Sequence, residues 1–281
     1  MSLVDIEHLR RWVGTRRTDR DVLRTRHARL MAATLGQPAA PLVAGAPLPP
    51  LWHWIYFLEG LPPSELGRDG HAARGGFLPP VPLINRMWAG GRLEFHVPLT
   101  LDSEVVRNSQ IASVDHKHGH SGELVFVSVQ HEISHGGRAA VTEVHDIVYG
   151  GLAPVSSIPT IGRLPPAVHA ERVVPDSTML FRYSALTFNG HRIHYDVDYC
   201  REVEGYPNLV IHGPLTATLL AGCAQRAAGR PLKRFSYRGL QPSVLGSELS
   251  VNAAVADGPD RFVLWAALPN GAVTMRAEAG F

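Results

Sequence analysis

The sequence predicts an α+β protein built in two halves, and three observations carry that reading. An apolar helix opened by Gly-Pro, GPLTATLLAGCAQRAA, follows a histidine-rich loop. Runs with a period of two recur on both sides of mid-chain. Between them lies a Pro/Gly/Ser stretch, GLAPVSSIPTIGRLPPA, at 151–167. A helix followed by four strands thus occurs twice.

Taken in order, residues 1–36 read as helical. Val4, Ile6, Leu9, Trp12 and Val13 recur at near-helical spacing, and DVLRTRHARLMAATLG repeats the pattern with Gly36 as its stop. The second of these helices is the expected counterpart of the one at 214–228. Basic residues in RRWVGTRRTDR read as a solvated helix face and turn. PPLWHWIYF is an aromatic segment in which Trp52, Trp54 and Tyr56 alternate with His53 and Ile55, a pattern suited to wall packing. From Gly60 to Pro82 a Gly/Pro-rich connection is long enough to be a lid or a binding loop.

Four strand candidates follow: GRLEFHVPL, SEVVRNSQIASVDHK, GELVFVSVQHEIS and AAVTEVHDIVYG, with GHSG and HGGR as turns. His116, His118, His120, His131 and His135 sit at turns or on alternating strand positions and read as structural. In the second half RFSYRGL, SELSVNAAVA, FVLWAAL and AVTMRAEA form four more, with Gly246, Asp257-Gly258 and Asn270-Gly271 at the turns.

Composition narrows the function. A formal charge of +2 with 19% charged residues makes no field for nucleic acid, and no apolar run reaches the ~18 residues of a membrane span. The start MSLVDIEHLRRW is amphipathic, unlike an export signal. Two cysteines, Cys200 and Cys223, suit a reducing compartment without disulfides, so the cytoplasm is the expected location.

Chemistry concentrates in YSALTFNGHRIHYDVDYC and the helix after it. An imidazole exchanges protons near neutrality whereas an amide only orients, so His194 is the candidate acid–base group and Asn189 a positioner. The first backbone donors of the helix, at Gly213 and Leu215, are left unpaired by helix geometry and can hold an oxygen that gains charge. A three-histidine zinc site of His191, His194 and His212 is the competing reading. No HExxH-type helix surrounds HRIH, and Phe188-Asn189-Gly190 reads as a turn, so no metal and no other cofactor is expected.

The stretch resembles the MaoC-like (R)-specific enoyl-CoA hydratases, whose motif runs roughly SGDxNPIHxD and later HG. His194, Asp196 and His212-Gly213 match it directly, and Ser184 with an insertion; Asn189 stands where the family has an aspartate and His191 where it has asparagine. LFRYSALTFNGHRIHYD, with PPLWHWIYF, RMWAGGRLEF and KHGHSGELVFVSV, is closer to the branch of mesaconyl-C4-CoA and itaconyl-CoA hydratases and mitochondrial hydroxyacyl-thioester dehydratase type 2.

That resemblance implies an α+β double hotdog, two curled antiparallel sheets each around a central helix: 1–150, a linker at 151–167, and 168–281 carrying the active site. The halves are expected to pack sheet against sheet, with the first contributing no acid–base group. It also implies hydration of an enoyl-CoA, with His194 moving the proton, Asn189 holding water, Gly213 stabilising the enolate oxygen, and Asp196 or Asp198 as stand-ins for the missing aspartate. Tyr183, His191 and His212 complete the substrate contacts. Arg182, Arg192 and Arg238 are candidates to pair a distal carboxylate, which would suit a dicarboxylyl-CoA such as mesaconyl-C4-CoA or itaconyl-CoA. Acyl-CoA is the expected partner, with a homodimer as the assembly to test. Two alternatives stand beside it: a hotdog thioesterase, which needs a carboxylate to activate water, and an acyl-CoA-binding protein without catalysis.

Overall fold

The structure, a computed structural model, describes residues 4–119, 122–150 and 162–281. His120 and most of the 151–167 segment lie outside them. In chain order the elements are α1 Ile6–Arg10, β1 Arg16–Val22, α2 Thr25–Thr34, β2 Asn85–Phe95, β3 Glu104–Gly119, β4 Gly122–His135, β5 Arg138–Gly150, β6 His169–Val173, α3 Ser177–Leu186, α4 Val197–Tyr199, α5 Gly213–Ala228, β7 Arg234–Gly239, β8 Leu249–Ala256, β9 Gly258–Ala267 and β10 Val273–Gly280.

All ten strands join one sheet in the order β1-β3-β4-β5-β2-β7-β10-β9-β8-β6. The halves therefore meet edge to edge and not sheet against sheet, which corrects the packing expected from sequence. The seam is the antiparallel pair β2/β7, where Gly90 faces Arg238, Gly91 faces Tyr237 and Leu93 faces Phe235. Glycine is required at this seam: a Cβ on Gly90 would lie 2.6 Å from the Tyr237 carbonyl oxygen, and one on Gly91 2.8 Å from that of Val144. Pairing β2 to β7 satisfies two edges that would otherwise expose open hydrogen-bonding groups.

Helix α5 is buried almost all round, through Leu215, Thr216, Ala217, Thr218, Leu219, Leu220, Ala221, Cys223 and Ala224. Its small residues let β6–β10 curl closely about it, and Gly229, at φ 65°, ends it in the left-handed conformation that glycine adopts freely. Helix α2 is shorter and lies against α3, with Ala28, Met31 and Ala32 in the core that runs across both halves. A second cluster, including Leu9, Ile111, Val125, Val127 and Tyr149, covers the other face of β3–β5.

The start of the chain departs from its expected helices. RRTDRDV is the edge strand β1, paired with β3 from Arg16 opposite Gln110 to Val22 opposite Glu104. Two of its charges are ion-paired, Asp19 with Arg107 of β3 at 2.8 Å and Arg17 with Glu59 at 2.9 Å, and both faces of the strand are polar, so the sequence shows no apolar alternation. Charged edge strands of this kind resist further pairing. Trp52–Ile55 forms a 3-10 turn with Trp52, His53 and Ile55 buried, and β6 adds a five-residue strand that its polar sequence did not announce.

Candidate active site

The loop between α3 and α4 turns its histidines inward through local bonds. Phe188 takes a left-handed φ of 48°, and the Asn189 Oδ1 accepts the His191 N–H at 3.0 Å. Arg192 then clamps Asp196 through Nε at 3.0 Å and Nη2 at 2.7 Å, while the other oxygen of Asp196 caps α4 by accepting the Tyr199 N–H at 2.9 Å. With Arg192 and Asp196 committed to each other on the outside, His191 and His194 are left facing in, both buried.

His194 is held in one protonation pattern. Its Nδ1 lies 2.8 Å from the Val210 carbonyl oxygen, which can only accept, so Nδ1 carries the hydrogen and Nε2 keeps its lone pair. Burial pulls its pKa down to about 4 against the rise from that hydrogen bond, so the ring is a neutral acceptor at pH 7. His212 stacks on it at 3.6 Å and 20°. His212 is itself wholly buried as the residue before α5, with Nε2 2.8 Å from Ser184 Oγ, and its pKa too is driven well down by burial.

The first half also reaches this cluster, which sequence reasoning did not foresee. Within the 60–82 connection, the Asp69 carbonyl accepts the Arg192 N–H at 2.9 Å, and a Cβ on Gly70 would lie 1.9 Å from the Gly190 carbonyl oxygen. The two loops are thus in backbone contact, and His71 packs on His191 at 4.1 Å while His191 meets His194 edge-on at 5.4 Å. Asp69 Oδ2 lies 3.1 Å from His71 Nδ1. Burial pushes the Asp69 carboxyl up, but the hydrogen bond and charge of His71, helped by Arg86, hold it well below the usual range. The available signal was an Asp and a His in GRDGH, inside a connection already read as a binding loop.

Ligand-type atoms of Asp69, His71 and His191 lie within 4.8 Å of one another, the spacing a metal ion would need. The charges of Arg74 and Arg86 bear on the same group, which disfavours a dication there. A second buried cluster stands on β5 and the Trp52–Ile55 turn, where Glu143 Oε2 takes hydrogen bonds from His53 Nε2 and Trp54 Nε1, each at 3.0 Å, and lies 3.1 Å from His145 Nε2. Its donors already satisfy that carboxylate. Burial would raise Glu143, yet the charges and hydrogen bonds of His145 and His53 keep it well below the ordinary carboxylate range. Trp54 and Trp88, 4.9 Å apart, extend this cluster toward Tyr237 and the start of α5, where the Trp88 carbonyl oxygen would be 3.6 Å from a Cβ on Gly213.

The expected site residues divide accordingly. His194, His191, Asn189, His212 and Gly213 come together at the head of α5. Tyr183 is buried beside His212, ring centroids 4.9 Å apart, and is part of the wall. Arg182 and Arg238 are exposed, and Arg192 is tied to Asp196. The cation whose charge does bear on Asp69, His71 and His191 is the half-buried Arg86, directly opposite Tyr149 across β2 and β5.

A sixteen-residue helix wrapped by half of a ten-stranded antiparallel sheet, with the other half continuing it, defines the double hotdog class. The same fold is found in a MaoC-like dehydratase from Phytophthora capsici, with a TM-score of 0.76 at 12% identity over 99% of this chain and 98% of that one. It is found also in a Mycobacterium tuberculosis protein with a double hotdog fold, with a TM-score of 0.55 at 14% identity, over 95% and 96%. The sequence model of the hydroxyacyl-thioester dehydratase type 2 family matches residues 51–245, and the chain belongs to that family. It is 42% identical over 268 residues to the mesaconyl-C(4)-CoA hydratase of Chloroflexus aurantiacus, covering 95% of each. It is 27% identical over 237 residues to the mitochondrial hydroxyacyl-thioester dehydratase type 2 of Schizosaccharomyces pombe, covering 73% and 77%. The chain is an enzyme of the hydratase and dehydratase class. No helix among the described residues is long and apolar enough to cross a membrane.

Proposed function

We propose that the protein adds water reversibly across the double bond of an enoyl-CoA thioester, with His194 as the proton carrier. The observation that carries this reading is the fixed tautomer of His194: a buried imidazole, neutral at pH 7, whose Nε2 is the acceptor. Water gives a proton to Nε2 as its oxygen bonds to the β-carbon. The π electrons move through the α-carbon onto the thioester oxygen, where the N–H of Gly213 at the head of α5 offsets the charge. His194 then returns the proton to the α-carbon. With a pKa near 4 its imidazolium is a willing donor, which suits that second step. Asn189 keeps its amide NH2 for the water, because its Oδ1 is taken by His191.

The substrate is a dicarboxylyl-CoA such as mesaconyl-C4-CoA or itaconyl-CoA. This rests on the relationship to the Chloroflexus enzyme and on Arg86, whose charge reaches the histidine cluster, as the candidate partner of a distal carboxylate. Division into hotdogs at 1–150 and 168–281, a homodimeric assembly and a cytoplasmic location complete the proposal. The two cysteines, free and buried, suit that location. The test is a panel of enoyl-CoAs with and without a terminal carboxylate. Loss of enoyl absorbance is expected for the dicarboxylates, at least ~10⁴-fold above background. Release of free thiol would point to a thioesterase, and binding without turnover to an acyl-CoA carrier.

A further inference from the structure

We propose that His116 and His118 on β3 and Glu123 on β4 form a binding site for a divalent transition-metal ion of the zinc class, at the end of the β3–β4 hairpin. The site shares no residue with the cluster around His194 and does not depend on the hydration reading. From sequence both histidines read as structural.

Strand geometry brings the three side chains together. Residues two apart on a strand share a face, so His116 and His118 point the same way. The register sets Glu123 directly opposite His118 and Val125 opposite His116, which places the carboxylate beside one imidazole and diagonal to the other. Ligand atoms of the three, one from each residue, lie within 4.8 Å of one another, and the two ring centroids are 4.8 Å apart.

A second observation is the state of His116 Nε2. It is buried without a hydrogen-bond partner among the described residues, yet lies 3.5 Å from Glu123 Oε1. That is longer than the roughly 2.7–3.2 Å of an N–H···O bond. It is the spacing of two ligands on one ion: bonds of about 2.0–2.2 Å at the tetrahedral angle put neighbouring ligand atoms about 3.4 Å apart. His118 is exposed, so an ion can enter from solvent and keep water as a fourth ligand. Two imidazoles and one carboxylate suit zinc or cobalt(II) better than calcium or magnesium, which take oxygen ligands.

The surroundings agree. Lys117, between the two histidines, points to the opposite face and holds its ammonium 4.8 Å from the Phe126 ring centroid, away from the trio. Val114 and Val125, on the face of the trio, are buried and give the ion an apolar floor. Other trios of similar spacing are already committed. Asp69, His71 and His191 lie under the charges of Arg74 and Arg86, Glu143 carries the His53 and Trp54 hydrogen bonds, and Glu171 is held by Arg226 through both oxygens at 2.7 Å. An ion at the hairpin ties β3 to β4 and stabilises the folded chain according to its occupancy.

The test uses the full chain without a histidine tag, stripped with a chelator and dialysed against zinc at pH 8. Elemental analysis should find one zinc per chain, and cobalt(II) in its place should give the visible absorption of a four-coordinate site. His116→Ala, His118→Ala and Glu123→Gln should each weaken binding at least about tenfold, the least that loss of even an outer partner of a metal ligand costs, while Lys117→Ala binds as the parent does. Zinc should raise the melting temperature of the parent and leave that of His118→Ala unchanged; this exposed position is the one whose replacement disturbs the fold least, which a far-UV spectrum checks. The proposal is overturned if the parent does not saturate at one zinc per chain, or if the three hairpin variants bind as tightly as the parent. It is equally overturned if His71→Gln loses the ion and the hairpin variants keep it, which would move the site to Asp69, His71 and His191. None of these measurements uses turnover, so a parent inactive on every enoyl-CoA would fail the hydration reading alone.

Discussion

At the scale of single residues, the chemistry depends on how burial and one hydrogen bond set an imidazole. A free histidine with a pKa near ~6.5 would be partly charged at neutral pH. His194 is held near 4 by burial, so kcat/KM should stay level from pH 8 to below 6 and fall only toward pH 4. A profile falling near 6.5 would show that the ring is not desolvated as described. Asn189→Ala should slow turnover, because it removes both the oxygen that holds the His191 N–H and the donor left for water. Asn189→Asp keeps that oxygen and should fold normally. These residues were legible because NGHRIHYD is a local motif whose turn, tautomer and cap arise within a few residues. Asp69 and His71 were not, since nothing local says which distant loop a Gly/Pro-rich connection will cover.

At the scale of elements, the 60–82 connection is a working part because it touches the site loop through backbone. Gly70, at φ 85°, has no room for a side chain against Gly190, so Gly70→Ala must push the two loops apart. The activity of that variant should drop at least about tenfold, by displacement of the groups it carries. Gly76→Ala in the same connection meets nothing within 4 Å and has no left-handed φ, so it should retain the parent rate. Steady-state assays of the two decide the point. The long strands β3, β4 and β5 and helix α5 were readable because one face or one circumference is apolar. Edge strand β1 reads as helix in the sequence because its charges pair with Arg107 and Glu59 elsewhere in the chain, so both of its faces are polar and the apolar alternation that marks a strand is absent. The arginines could not be placed from sequence for a related reason. Whether Arg182 and Arg238 face solvent or site is fixed by tertiary placement, which composition does not encode.

At the scale of the molecule, one sheet through the β2/β7 seam and one core spanning α2 and α5 join the halves, so they should unfold together in a single transition. The same molecule stores a cost for acid. His71, His131, His191, His194 and His212 all have pKa values lowered by burial in the folded state. Below its unfolded value near ~6.5 each histidine takes up a proton more readily when unfolded. Stability is therefore full above that pH and is lost as pH falls toward the folded values. The shift of His194 alone, from 6.5 to about 4, is worth on the order of 3 kcal/mol when fully titrated. Urea midpoints should fall steeply between pH 7 and pH 4.5, and a flat midpoint over that range would contradict the burial of the histidine row.

The most direct test of the account is steady-state hydration by His194→Ala, on the enoyl-CoA that the parent turns over fastest. With His194 as proton carrier, kcat should fall ~10²–10⁴-fold while KM changes little and the far-UV spectrum and urea midpoint at pH 8 show a folded protein. A folded His194→Ala enzyme that hydrates at the parent rate would mean the proton travels by another group, and the mechanism given for this site would be wrong.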